Sequence, residues 1–195
     1  MGRRLKKVWL KKNRKVRKFI CAYFCFSFIV CFLYSAEVVA HTVPPALREL
    51  DFSIAINKKS IALGDRWDND VAHEIEVPTE GQFVGEIPFD GVNYKFYQHH
   101  QAELDVFSSN LLWDKTERNV NDYIVSQITI YSGECSTPRG IHVGSTIEEL
   151  NKAYGAGQSE NDSGEQWVSY ELGIKLLSFK IKDNMVVKIS MNYAN

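Results

Sequence analysis

Residues 137–155 read TPRGIHVGSTIEELNKAYG, and the order of residue types in this stretch decides how the whole chain is read. Thr137 to Gly140 has the composition of a turn. Ile141 to Val143 follows as a short extended segment that breaks at Gly144. Ser145, with Glu148 three residues on, matches the capping-box spacing and predicts a helix starting there. Ile147, Leu150, Ala153 and Tyr154 fall at helical spacing, so one side of that helix is apolar, and Gly155 ends it. A related stretch lies at residues 60–75, SIALGDRWDNDVAHEI. There Ile61 and Leu63 are extended and Gly64 breaks the segment. Asp65 is placed to cap a helix carrying Trp67, Val71 and Ile75 on one side, and Pro78 helps to end it.

Strand patterns surround both stretches. Phe52, Ile54 and Ile56 alternate with Ser53 and Ala55. Asp90-Gly91 between two apolar runs predicts a hairpin joining strands over 83–89 and 92–99. Further strands are expected over 103–108 and 123–131, with a polar, irregular stretch over 109–122 broken only by Leu111 to Trp113. Residues 155–166, GAGQSENDSGEQ, read as a flexible Gly-, Ser- and acid-rich loop. Strands over 167–172, 175–182 and 185–193 follow, and in the last of them Met185, Val187, Ile189, Met191 and Tyr193 share one side. Similar residues recur in the same order. Ile61, Leu63 and Gly64 match Ile141, Val143 and Gly144; Tyr97, Leu104 and Val106 match Tyr170, Leu177 and Phe179; Ile128 and Ile130 match Ile189 and Met191. The expected fold class is α+β. It comprises two tandem units, 52–134 and 135–195, each a short helical entry packed on one face of a three- or four-stranded antiparallel sheet.

The chain has 195 residues, 45% hydrophobic and 24% charged, values ordinary for a folded protein. Its net charge of −1 hides an asymmetry. Residues 1–18 carry ten Lys and Arg and no acid, whereas residues 41–195 carry 13 basic and 23 acidic residues. Phe19 to Ala36 is an uncharged run of 18 residues, FICAYFCFSFIVCFLYSA, and as a helix it would rise about 27 Å, close to the bilayer core. The basic flank before it predicts a cytoplasmic amino terminus and an exported body. Two outcomes are open: a retained transmembrane anchor, or a signal helix cut near Ala40. Residues 37–51, with Pro44 and Pro45, read as a linker. The membrane is therefore one expected partner, through residues 19–36. Nucleic acid is not expected, because the basic run directly precedes an apolar one and the body is acidic.

The segment Gly140-Ile141-His142-Val143-Gly144-Ser145-Thr146, together with Tyr154-Gly155, resembles a superfamily of exported proteins. It contains the β-lactamase inhibitor protein, the small lipoprotein of the outer-membrane β-barrel assembly machine, and an uncharacterised exported branch in Gram-positive bacteria. The resemblance spans roughly residues 52–195 and rests on architectural residues. It implies an inhibitor-like repeat and action by binding proteins through an open sheet face or loops. This chain departs from both named members: it lacks a lipid-attachment cysteine and paired disulfides.

Little in the sequence suggests catalysis. His99 and His100 are adjacent on a strand, so their side chains point to opposite faces and do not readily share an ion. Glu160, Asp162 and Glu165 lack the spacing of a calcium loop. Gly155 and Gly157 follow a helix rather than open one, so they do not cradle phosphate. No serine sits in a nucleophile elbow. No cofactor, metal or catalytic residue is expected. Cys135 is the one cysteine in the exported body, and two alternatives follow: a small thiol-dependent enzyme or redox protein centred on it, or a purely structural surface protein. The favoured function is an extracytoplasmic protein-interaction module. Its candidate contact residues are aromatics placed by alternation on the sheet face away from the helices: Tyr94, Phe96, Tyr123, Tyr131 and Trp167.

Overall fold

The computed structural model describes residues 44–56, 58–89 and 91–194. The apolar run 19–36 and its basic flank lie outside them. Among the described residues no helix is long and apolar enough to cross a membrane.

The chain is mostly β. Strands β1 (Ser53–Ile56) and β2 (Lys59–Ala62) form a small antiparallel hairpin. Helix α1 (Asn69–Glu74) follows, and then a four-strand meander: β3 (Gln82–Phe89), β4 (Val92–Gln101), β5 (Leu104–Ser109) and β6 (Ile124–Ile130). Helix α2 (Ile147–Tyr154) leads into a second meander: β7 (Gln158–Asp162), β8 (Glu165–Leu172), β9 (Lys175–Lys182) and β10 (Met185–Tyr193). The meanders join through their last strands, giving one eight-stranded antiparallel sheet in the order β3-β4-β5-β6-β10-β9-β8-β7.

This corrects the expected α+β fold of two helix-on-sheet units. The helices have six and eight residues, roughly 9 and 12 Å long, too short to cover a sheet each. The joining of β6 to β10 also satisfies two strand edges that separate units would leave bare. At that seam Ile130 faces Ile189 and Ile128 faces Met191. These four residues lie at the centre of the main core, with Val106, Leu177 and Phe179 from the flanking strands and Leu150 and Tyr154 from α2.

Several local expectations shift with it. The cap of α2 is Thr146, one residue on, and its box partner is Glu149. Ser145 is occupied otherwise: its hydroxyl accepts the His142 N–H. Helix α1 is capped by Asp68, whose carboxylate accepts from the N–H groups of Asp70 and Val71; Asp65 instead accepts the Ala62 N–H. Ile141 to Val143 makes no strand, only a bridge from His142 to Ser136. The loop expected over 155–166 is in fact β7 and the turn into β8. A bulge between Val186 and Lys188 resets the alternation of β10, so Val186, Ile189 and Met191 are buried while Met185 is exposed.

The sheet therefore has a helix-side face and an opposite face, called here the outer face. The chain enters the body along 44–52, and Arg139 fastens it there. Its guanidinium donates to both Asp51 oxygens, at 2.7 and 2.6 Å, and to the carbonyls of Pro45, Ala46 and Ala153. It also lies 4.6 Å from the Tyr154 ring. Gly155, with φ +83, turns the chain out of α2, and Pro44 packs against it.

Candidate functional site

Cross-strand partners share a face, so the register defines the outer face residue by residue. One row runs Ser169, Ser178, Ser190, Thr129, Asp105 and His100 across six strands. Beside it lie Trp167, Lys180 and Lys188 on β8, β9 and β10, and on the other side Asn192 opposite Gln127. The floor is thus made of hydroxyls and amides, with Ser169 and Ser178 hydrogen-bonded at 2.9 Å and Gln127 donating to Thr129 at 3.2 Å.

The aromatic residues expected on this face divide into three groups. Trp167 and Tyr131 meet around one cation: the Lys188 Nζ lies 5.3 Å from the Tyr131 ring and 5.9 Å from the Trp167 ring. Tyr131 is 41% exposed, and its hydroxyl donates to Asp105 at 2.9 Å. Burial, followed by that bond and the Asp105 charge, pushes its pKa up to about 12, so it is a neutral donor at any physiological pH. The other oxygen of Asp105 holds His100 Nδ1 at 2.6 Å. His100, Asp105, Tyr131, Lys188 and Trp167 thus form a continuous chain of contacts along the outer face.

Tyr94 and Phe96 belong elsewhere on it. Tyr94 is 0% exposed and packs with Leu111 and Ile124, bordered by Phe96, Leu112 and Trp113. Of the stretch that reads as irregular and polar, 109–122, Ser109 closes β5 and the residues after it fold back over this end. Tyr94 donates to Asp114 at 2.5 Å, and Asn110 accepts from the Lys95 N–H. Tyr94 is therefore core, a correction to its expected place in an exposed set. Phe96 is half-buried and lines a recess of about 170 Å³ with Ile87, Leu111, Gln127 and Asn192. Tyr123 makes an edge contact with Tyr97, at 5.6 Å, and so leaves the Tyr94 group. Sequence did hold a signal for the cover: three consecutive apolar residues, Leu111 to Trp113, inside a polar stretch need somewhere to pack.

The remaining chemistry is committed to structure. His99 is buried: its Nδ1 sits 2.8 Å from the Pro78 carbonyl and must donate, so Nε2 accepts from Ser108. Burial lowers its pKa, the Pro78 bond opposing, and the ring stays neutral. His100 points to the opposite face. Among the described residues no group of three or more His, Cys, Asp or Glu is placed to hold a metal. Cys135 is 0% exposed, and burial, with the Glu103 and Glu134 charges behind it, pushes its thiol pKa up. That is the reverse of what a reactive thiolate requires. A second recess, about 380 Å³, lies beside Arg139, Glu149 and Lys152. Arg139 has spent its donors on Asp51 and three carbonyls, and Glu149 closes the α2 capping box. The β3 edge exposes Phe83, Val84 and Ile87, but a bulge at Phe83/Gly85 and Pro88 interrupt its ladder, as edges that resist pairing do.

No family model matches the chain, and no curated protein matches it. Among solved structures it is similar to a cysteine-rich secretory protein from Staphylococcus aureus subsp. aureus Mu50. The TM-score is 0.34 at 13% identity, over 66% of this chain and 44% of that one. This chain spans less than half the length of that protein, and a likeness of this size carries no argument about fold or function.

Proposed function

We propose that this chain is an extracytoplasmic protein-interaction module, tethered to or released from the membrane, whose contact surface is the uncovered end of the outer face. The observation that carries this reading is the Tyr131–Lys188–Trp167 group. Half-exposed aromatics set among small polar side chains supply large contact area and adaptable hydrogen bonds, the composition found at protein-binding hot spots. Tyr94, at the other end of the face, is covered, whereas among the described residues Tyr131 stays 41% exposed. The resemblance carried by residues 140–146 and 154–155 points the same way, to proteins that act by binding. Export rests on the basic and apolar pattern of residues 1–36.

The test is a photo-crosslinking residue at Ser169, beside Trp167 on β8, in cells of the native host. A discrete protein adduct is expected, lost in Trp167→Ala, with the melting temperature of that variant unchanged. An adduct that survives Trp167→Ala, or a variant that melts early without losing the adduct, would make Trp167 a structural residue and remove the proposal.

A further inference from the structure

Lys188 is the cation of the outer-face group. Its ammonium is within cation–π range of two rings, yet among the described residues no acidic side chain pairs with it. This is unexpected in a body with 13 basic and 23 acidic residues, where acids are in excess. Two acids of this face are engaged elsewhere, and Glu160, the ladder partner of Trp167 on β7, makes no ion pair with Lys188. Glu165 pairs with Lys180, the ladder partner of Lys188. Asp105 is held by His100 and Tyr131. Lys188 is half-buried, so its charge is partly removed from water, and its two rings offer polarisable faces but no counter-charge.

Resting on the interaction-face reading above, we infer that the protein partner places a Glu or Asp carboxylate on Lys188, with an apolar neighbour against Trp167. The charge complement selects the acid. The rings on either side select an apolar residue next to it. The half-buried Ser190 hydroxyl, next on this face along β10 from Lys188, can meet the partner's backbone amides. The docking determinant is then a short acidic–apolar sequence in an extended segment rather than a large apolar surface.

The experiment uses the full-length chain and two blocked peptides, acetyl-Leu-Glu-Phe-amide and acetyl-Leu-Gln-Phe-amide, with the Trp167 indole N–H resonance as readout. The Glu peptide should bind about tenfold more tightly than the Gln peptide, the scale of one partly desolvated charge pair. That preference should vanish in Lys188→Gln while the melting temperature holds. If both peptides bind alike and Trp167→Ala loses both, the face binds peptides without charge selection; the inference fails and the proposed function stands. If neither peptide moves the Trp167 resonance, both fail. If inorganic phosphate displaces the Glu peptide at equal concentration, the site is a simple anion site and the carboxylate assignment is overturned.

Discussion

At the β4–β6 end of the outer face Tyr94 is fully buried, its hydroxyl held by Asp114 and its ring covered by Leu111 and the residues after it. Where the end of β6 lies beside β10 and β8, Trp167 and Tyr131 stand around Lys188 with part of their rings in water. Both ends belong to one sheet, and strand alternation alone gives both the same outward direction. The difference is a 14-residue excursion between β5 and β6, residues 110–123, that the β9–β10 connection has no counterpart for: there the turn is only Asp183-Asn184. An aromatic on a sheet face is thus core or contact surface according to what the neighbouring loop is long enough to do.

The largest effect that would break this comparison is at the covered end. Tyr94→Ala should cost about 3–5 kcal/mol, the range for deleting a buried aromatic, read as a lower urea midpoint. A loss under about 1 kcal/mol, the scale of a surface change, would mean that the cover is not packed on it.

Acid comes next. The Tyr94 hydroxyl bond holds the Asp114 carboxyl below its ordinary value of 3.8, burial opposing. At Asp51 burial pushes upward, but the Arg139 and Arg48 hydrogen bonds outweigh it and leave that carboxyl lowered too. A carboxylate whose folded-state pKa lies below its unfolded one stabilises fully above the unfolded value, and loses that contribution as pH falls through the folded value. Urea midpoints should therefore be level above about pH 5 and fall below about pH 4. Asp114→Asn should remove only the share of the cover, leaving that of Asp51.

At the open end Trp167→Ala should change stability by less than about 1 kcal/mol while abolishing the crosslinked adduct. The smallest effect is a control on the helix side. Cys135, buried with a raised pKa, should react with iodoacetamide at neutral pH at least roughly tenfold more slowly than free cysteine. Fast alkylation would restore the thiol alternative.

Most strands were legible because they alternate over several residues and end at Gly, Asp or Asn turns. The exception, β7, reads QSEND: an edge strand wet on both faces has no alternation to find. The cap of α2 was ambiguous by one residue, since Ser145/Glu148 and Thr146/Glu149 fit the same spacing; the His142 N–H bond to Ser145 decides it. The joining of β6 to β10 was not legible. It pairs residues some sixty positions apart, such as Ile130 with Ile189, and local pattern carries no register at that range. Of the candidate contact set, Trp167 and Tyr131 came together around Lys188, a residue that no motif singles out. Tyr94 was misplaced because alternation reports direction and says nothing of cover.

The most direct measurement is hydroxyl-radical footprinting of the protein in its native envelope against the purified chain. The account predicts that Trp167 and Tyr131 are labelled in isolation and protected in place, while Tyr94 is protected in both. Equal labelling of Trp167 and Tyr131 in the two settings would contradict the claim that the uncovered end of the sheet is where a partner sits.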